Sequence, residues 1–566
     1  MRIKPETWQV EKIAVIGAGI VGMPMAALLA HARIWIGSKS SARVIVIQRN
    51  SPTSGWKVDA INSGQSPIGG IEPDLDRIVK EAVDDRLLSA SHDYSELRDA
   101  DVILICVQTD KKGFGPDYGP MFDALHGIAK ELQKKPADKI PLIVFESTLA
   151  PSSMITLIRS HFQEYGLEDG RDILLGNSPN RVMPGRLVER IAMSDKVVGG
   201  LNPLTPKLIQ RLYEHIVTQG TLHITNSLTA EVVKTLENTY RDVRIAYAAE
   251  VVHFCDAEDI DFYRLRKDVN AMLSWSDSAS TDPNAVPSGG LLIPTIGVGG
   301  HCLPKDGILL LWRKIEDEND MSTSLILESR RINDESPAES IRLAERDFDE
   351  LRKRTIALLG VAYRFNSEDT RNSPTLALAR ILLDRGNEVV LQDPYVNPDD
   401  QNLLKYGLQE YFTQDIKKAL DAVELVFFCT AHRDYLEDID MILNQYPQVR
   451  GYFDGCNLFD PKLFTGRPAV YTGIGRGKEP PPEELTRFVY EGFLTVEKGF
   501  ANEIQSFIDY ANSRYAGDDF NKIDFQVVKR IAETCVTGCQ LSDPGLLETI
   551  PEYRGFSSRL LDCMKP

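Results

Sequence analysis

The sequence predicts an α/β chain: two doubly wound Rossmann-like domains joined by a central helical domain with a long helix, then a mostly helical C-terminal extension. Three observations predict it. Apolar runs of strand length alternate with helix-like stretches in the first and third quarters of the chain, the pattern of parallel strands buried on both faces. Between them the apolar period lengthens to three or four residues. Beyond residue 477 the patterning is helical only. A length of 566 residues also exceeds what one ordinary core supports, so several domains are expected.

The N-terminal dinucleotide-binding domain is expected over residues 1–220. Its strand candidates are Lys12 to Ile16, Arg43 to Ile47, Val102 to Val107 and Leu142 to Phe145, with helical stretches such as Gly22 to Ala32 and Met121 to Gln133 between them. The central domain, 221–335, opens on Ser227 to Phe254, where Leu228, Val232, Leu236, Tyr240 and Val243 recur at helical spacing. Pro283, Pro287 and Gly289-Gly290 mark a loop, and 294–304 is a second, glycine-rich one. The second α/β domain, 350–477, draws strands from Ile356 to Leu359, Glu388 to Leu391, Leu425 to Cys429 and Gly451 to Phe453. Prolines 480 to 482 punctuate the start of the extension, 478–566, whose helical patterns run from Pro482 to Ala511 and from Asp524 to Thr534.

Composition narrows the partners. The net charge is -18, so no basic face invites nucleic acid, although a local donor cluster suffices for a small phosphate ligand. No apolar run reaches the roughly 20 residues of a membrane span, and no membrane insertion is expected. The first ten residues lack the apolar region of a signal peptide. Eight scattered cysteines, without the spacing of a disulfide scaffold, point to a reducing cytoplasm. Cys535-x-x-x-Cys539 lacks further ligands at metal spacing, so no metal is expected.

Gly17-Ala18-Gly19-Ile20-Val21-Gly22 is a G-x-G-x-x-G between a strand and a helix. Gly17 serves the tight turn, Gly19 the approach of a pyrophosphate and Gly22 close helix–strand packing. Ile20 and Val21 complete the cradle. At the end of the second strand an acid is expected to accept from the adenosine ribose. Gln48 stands there instead, followed by Arg49. NAD is the expected cofactor; a neutral residue beside an arginine that could hold a 2′-phosphate also leaves NADP open, the alternative being that Arg49 is a solvated surface charge.

Gly297-Val298-Gly299-Gly300-His301-Cys302-Leu303-Pro304-Lys305-Asp306 places a cysteine on a glycine-rich loop rather than in a core strand. A thiolate is intrinsically nucleophilic, and His301 and Lys305 are nearby cation candidates. The company Cys302 keeps favours a nucleophile over a buried thiol in a turn.

With these motifs stand Glu146-Ser147-Thr148, Ser178-Pro179-Asn180-Arg181 continuing to Gly185, Glu231 to Asn238, Gly360 to Arg364, Asp369 to Pro374, Asp393-Pro394-Tyr395, Thr430-x-His432 and Gly473 to Arg476. In this order the set resembles the UDP-glucose/GDP-mannose dehydrogenase superfamily over roughly residues 10 to 477. The resemblance implies a four-electron oxidation of a sugar C6 alcohol to a carboxylate, through a thiohemiacetal and a thioester on Cys302. It implies that Lys234 and Asn238, one helical turn apart, stabilise the oxyanion. It gives Asp306 a role on water or Lys234, with a helix N-cap as the ordinary alternative. Thr148 would orient water or cofactor, and Thr109 would lie beside the cofactor. Asn180, Arg181, Lys234, Asn238, Gly299 and Arg371 would face the nucleotide sugar, Arg371 as a bidentate partner of a diphosphate or, alternatively, paired with Glu368 or Asp369. His432 receives no role. By the same resemblance the middle helix is the dimer element, and a homodimer or higher homo-oligomer is expected.

This sequence also departs from the family pattern. Asn180 stands where the family has a glutamate able to serve as general base for thioester hydrolysis. Gln108 and Asp110 replace prolines around Thr109, and Cys456 replaces an arginine. The form Gly-Val-Gly-Gly-His-Cys, with Glu146 before Ser147-Thr148, looks like the branch acting on UDP-N-acetylhexosamines such as UDP-N-acetylmannosamine, which supply polysaccharide biosynthesis. Two alternatives stand beside it: a UDP-glucose or GDP-mannose 6-dehydrogenase, and a non-catalytic homologue that binds a sugar nucleotide.

Overall fold

Branched apolar runs flanked by turn residues form the two large sheets of this computed structural model, which describes residues 5–69, 72–181, 185–275, 289–318, 321–348, 351, 353–534, 539–548, 550 and 552–565. The chain divides into two compact units. The first comprises Met1–Glu237, Ile308–Asn319 and Ile504–Leu541; the second comprises Asn238–Gly307, Asp320–Glu503 and Ser542–Pro566.

The first unit holds strands β1 (Lys12–Ile16), β2 (Arg43–Ile47), β3 (Leu88–Ser91), β4 (Val102–Ile105), a hairpin β5 (Asp110–Lys112) and β6 (Gly115–Asp117), β7 (Leu142–Phe145), β8 (Leu174–Asn177), β9 (Lys196–Gly200) and β10 (Leu222–Asn226). Eight of them make one sheet in the order β10-β9-β8-β7-β4-β1-β2-β3. All its pairings are parallel except β8 with β9. β1 lies between β2 and β4, so the chain order reverses at its carboxyl end, where a doubly wound sheet opens a ligand crevice. Its two faces bury separate apolar layers, one against the helix Gly22–His31 and one against the helix Gly119–Leu132. The sheet runs past residue 220, the expected end of the domain, because β10 pairs with β9.

The second unit holds β11 (Thr355–Leu359), β12 (Glu388–Gln392), β13 (Phe412–Thr413), β14 (Leu425–Phe428), β15 (Gly451–Asp454) and β16 (Val470–Gly473), all parallel, in the order β13-β12-β11-β14-β15-β16. The periodicity around Tyr240 belongs to a helix of 31 residues, Ser227–Ala257. The loop marked by Pro283 and Pro287 lies outside the described residues.

The extension is built around a 33-residue helix, Glu483–Tyr515, and a short one, Phe525–Ala532, capped by Asp524. In the second unit the long helix packs through its aromatic residues: Phe500 meets the ring of Tyr240, and Phe493 that of Tyr247. Tyr247 donates to the Val489 carbonyl at 2.9 Å, and Glu503 accepts from Ser324 Oγ and the Ile326 amide. In the first unit, Asn226 donates to the carbonyls of Phe520 and Lys522, both at 2.8 Å.

Candidate active-site elements

In the first unit the glycine loop leaves β1 and enters the helix Gly22–His31. Gly17 has φ +100, a conformation glycine adopts freely. A Cβ on Gly22 would stand 1.9 Å from the Gly17 carbonyl, so only glycine lets the helix start so close to the turn. At Gly19 nothing lies within 4 Å of a Cβ position, which leaves open space above the backbone. Val21 offers no side-chain cap to the helix, and the Met23 amide donates to the Gly19 carbonyl at 3.0 Å. An open concavity at an uncapped helix N-terminus fits the pyrophosphate of a dinucleotide. Ile20 is exposed on the loop.

The Gln48 side chain bridges: its Oε1 accepts from the Ala18 amide at 2.8 Å, and its Nε2 donates to Ser54 Oγ at 3.0 Å. Lys57 Nζ donates to the Ala18 carbonyl at 3.0 Å. Sequence reasoning missed Lys57. Arg49 is exposed at the strand end.

At the carboxyl ends of β4 and β7, Thr109 is buried and donates to the Thr148 carbonyl at 2.7 Å. Ser147 donates to the Val107 carbonyl at 2.5 Å, and Thr148 between them is half-buried. Glu231 closes this loop from the long helix, accepting from the amides of Ser152 and Met154 at 2.8 and 2.9 Å. Burial pushes its carboxyl up to about 8, against those two bonds.

Asn180 lies beside a buried carboxylate. Its Nδ2 donates to Glu146 Oε2 at 3.3 Å. The same oxygen binds Lys196 Nζ at 2.7 Å, and Tyr213 donates to Oε1. Desolvation lowers the Lys196 ammonium, with Glu146 opposing. Arg181 turns into an ion pair with Glu237 at 2.6 Å, with side chains 7% and 4% exposed, and Thr534 of the extension accepts from it at 3.5 Å. That pairing is a structural use of Arg181, different from the substrate contact expected for it. Lys234 is buried, four residues before Asn238 on the same helix.

In the second unit the nucleophile loop has a defined seat. The Gly300 amide donates to the Arg371 carbonyl at 2.8 Å, and Asn372 Nδ2 donates to the Gly300 carbonyl at 3.0 Å. Gly300 has φ +88, and a Cβ there would meet the Tyr363 ring at 2.9 Å. One on Gly299 would meet Tyr363 Cβ at 2.4 Å. Two glycines are therefore required for the loop to lie flat on Tyr363. Cys302 is half-buried and heads the helix Leu303–Asp317: the amides of Lys305 and Asp306 donate to its carbonyl at 3.1 and 2.9 Å. Cys302 thus stands at the positive end of a helix dipole.

Asp306 is fully buried. Its Oδ2 accepts from Asn238 Nδ2 at 2.6 Å and its Oδ1 from Lys305 Nζ at 2.8 Å. The structure so joins Asn238, Asp306 and Lys305, and ties up the lysine named as a cation candidate for Cys302. Arg371 pairs with Asp369 through two bonds of 2.8 and 2.5 Å, the second of its two expected uses. That bond raises the guanidinium above its ordinary value, and the charge of a Cys302 thiolate adds to the effect. His432 is buried, donating to Asp393 at 3.0 Å and accepting from the Asn366 amide, a structural arrangement. Among the described residues Cys106, Cys255, Cys302, Cys429, Cys456 and Cys563 are free thiols; Cys535 lies outside the described residues.

Comparisons with known proteins follow the same division. Models of the UDP-glucose/GDP-mannose dehydrogenase family match three spans: the NAD binding domain over residues 11–217, the central domain over 228–335 and the UDP binding domain over 357–461. A UDP-N-acetyl-D-mannosamine dehydrogenase of Pyrococcus horikoshii is 31% identical over 474 residues, covering 82% of this chain and 99% of that one. An NDP-N-acetyl-D-galactosaminuronic acid dehydrogenase of Ralstonia nicotianae is 29% identical, covering 75% of this chain and 91% of its own. The crystal structure of an NDP-N-acetyl-D-galactosaminuronic acid dehydrogenase from Methanosarcina mazei Go1 is similar with a TM-score of 0.68 at 29% identity, covering 83% and 96%.

Proposed function

This chain belongs to the UDP-glucose/GDP-mannose dehydrogenase family, and from that premise we propose that it oxidises the C6 alcohol of a UDP-N-acetylhexosamine, UDP-N-acetylmannosamine foremost, to the uronate. It is a nucleotide-sugar dehydrogenase with an NAD-binding domain. The choice of an N-acetylated sugar rests on the names of the relatives and on the loop Gly297 to Cys302. The observation that carries the reading is the bonded set Asn238–Asp306–Lys305, in which Lys305 and Asp306 lie in the first turn of the helix after Cys302, whose loop is seated against Tyr363.

Gly17, Gly19, Ile20, Val21 and Gly22, with Gln48, Arg49, Thr109 and Thr148 around them, would hold NAD, which when bound would supply the hydride acceptor for the two oxidations. The chain supplies the rest. The Cys302 sulfur adds to the C6 aldehyde, and the proton passes to the oxygen; a free aldehyde would hydrate and escape. Lys234 and Asn238 donate to the oxygen that becomes negative, and Asp306 holds the Asn238 amide in place. After the second oxidation water attacks the thioester carbonyl, the C–S bond breaks and the thiol is restored. Thr148 orients that water. Asn180, Arg181, Lys234, Asn238, Gly299 and Arg371 form the sugar-nucleotide side, where Arg371 must exchange Asp369 for a diphosphate to bind one, and Arg181 must leave Glu237.

The segments 1–220, 221–335, 350–477 and 478–566 are read as cofactor, central, nucleotide-sugar and extension segments, supported by the three matched spans. No described helix is long and apolar enough to cross a membrane. A cytoplasmic location is supported by the free thiols of Cys106, Cys255, Cys302, Cys429, Cys456 and Cys563, and a role in polysaccharide supply by the product's chemistry. A homo-oligomer remains part of the reading; its interface needs a surface other than the stripe of the central helix that the extension covers in the second unit.

Incubating the protein with a panel of nucleotide sugars and weighing the products tests this. Two reduced cofactors per sugar are expected, with the N-acetylhexosamine preferred over UDP-glucose and GDP-mannose. Cys302→Ser is expected to lower acid formation by at least about a thousandfold. Acid formation that survives this change overturns the mechanism; binding without turnover favours the non-catalytic alternative.

A further inference from the structure

The ribose end of the dinucleotide site is built unlike an NAD-selective one. Such a site ends its second strand with a carboxylate, which accepts from the ribose hydroxyls and repels a 2′-phosphate. Between Ile47 and Val58 this chain has no acid. Gln48 takes the place of the acid; its oxygen accepts from the Ala18 amide and its nitrogen donates to Ser54 Oγ. A neutral amide lacks the charge with which a carboxylate repels a 2′-phosphate.

What surrounds it is a set of donors. Ser51 and Ser54 pair their hydroxyls at 2.7 Å, with Thr53 at 3.4 Å from Ser51. Arg49 is exposed at the strand end, one residue on. Lys57 reaches back from the helix Trp56–Asn62 to the Ala18 carbonyl, in the second position of the glycine loop. That bond uses one of the three donors of an ammonium. Burial lowers the Lys57 ammonium, and an anion beside it would reverse the cost. In a chain of net charge -18, two cations and three hydroxyls within nine residues, without a carboxylate, form a local exception.

We propose that Arg49, Lys57 and the Ser51–Ser54 hydroxyls form a ribose 2′-phosphate subsite, so that NADP binds at least as tightly as NAD. A 2′-phosphate carries about -1.5 to -2 charges and three acceptor oxygens, which match a guanidinium fork, an ammonium and hydroxyls. The inference rests on the dehydrogenase reading for the position of the dinucleotide, and adds the cofactor selectivity that reading leaves open.

Calorimetric titration of the full-length protein tests it without turnover. The probes are adenosine 2′,5′-bisphosphate and 5′-AMP, which differ only in the 2′-phosphate, together with NADP and NAD. The bisphosphate is expected to bind about 10- to 100-fold tighter than 5′-AMP, the worth of one or two charge-assisted contacts. Arg49→Glu should erase that difference. Gln48→Asp, which restores the acid, should turn the preference toward NAD. Equal binding of the two adenosine probes, or NADP binding tenfold or more weaker than NAD, overturns the proposal and leaves the dehydrogenase reading standing. Failure of both NAD and NADP to bind would sink that reading with it.

Discussion

Asn180 stands where the resemblance to the family leads one to expect a general base. An amide cannot take the proton from an attacking water, and here it donates to Glu146, whose carboxylate is already bound by Lys196 and Tyr213. Release of the thioester should then be slow, and the acyl-enzyme should accumulate. Rapid quenching during turnover, followed by intact-protein mass measurement, is expected to show a sugar-nucleotide adduct on Cys302. Asn180→Glu would put a second carboxylate beside Glu146, one able to take the proton of an attacking water. Single-turnover deacylation should then rise by about 10- to 100-fold, toward the usual worth of a general base. No adduct in the parent, with an unchanged rate in the variant, would move the base elsewhere. The motif residues were legible in the sequence because chemistry limits which side chains can serve. Lys57 was not: its bond to the Ala18 carbonyl spans 39 positions, and only the sheet brings the two together.

Among elements, the strands read from sequence were those with unbroken branched apolar runs, such as Arg43–Ile47 and Leu142–Phe145. The missed ones lack that mark. Leu88–Ser91 alternates buried with less buried positions, Lys196–Gly200 buries a lysine and two glycines, and Leu222–Asn226 is an edge strand mostly half-buried. Their place in the sheet comes from their neighbours. The long central helix was legible throughout, but its polar partners were not. Glu250, on its inner face, accepts from Ser558 Oγ at 2.7 Å and from the Arg559 amide at 2.6 Å, which docks the end of the extension. Burial pushes the Glu250 carboxyl up to about 7 in spite of these bonds. The folded state therefore holds a proton that the unfolded chain releases at its ordinary, lower pKa. Stability should fall as pH rises through that window and level off above it. Melting temperature is expected to be higher at about pH 5 than at about pH 8, with Glu250→Gln flattening the slope. A variant with an unchanged slope would show that Glu250 is not the group responsible.

For the molecule as a whole, the extension is part of the core and not an appendage. The second unit buries its Leu485, Phe488, Val489, Phe493 and Phe500, and the first unit its Ile504, Phe507, Ile508, Val528 and Ile531. At about 1.5–3 kcal/mol for each large apolar side chain, five of these rival the roughly 5–15 kcal/mol by which a domain is stable. Deleting 478–566 should uncover apolar surface in each unit, seen as binding of a hydrophobic dye and a lost or much lowered melting transition. A truncated protein that melts like the full chain would show the extension to be dispensable for folding. The sequence displayed its helices but not what they cover, since an amphipathic stripe does not name its partner. The seat of the nucleophile loop bears on protein engineering. Gly299 and Gly300 are shaped to Tyr363 and held by Asn372, more than sixty positions downstream. Any hybrid enzyme assembled from two parents with a crossover between 302 and 363 would pair one parent's thiol with the other's platform. Recombination libraries meant to exchange sugar specificity should inherit both stretches from the same donor.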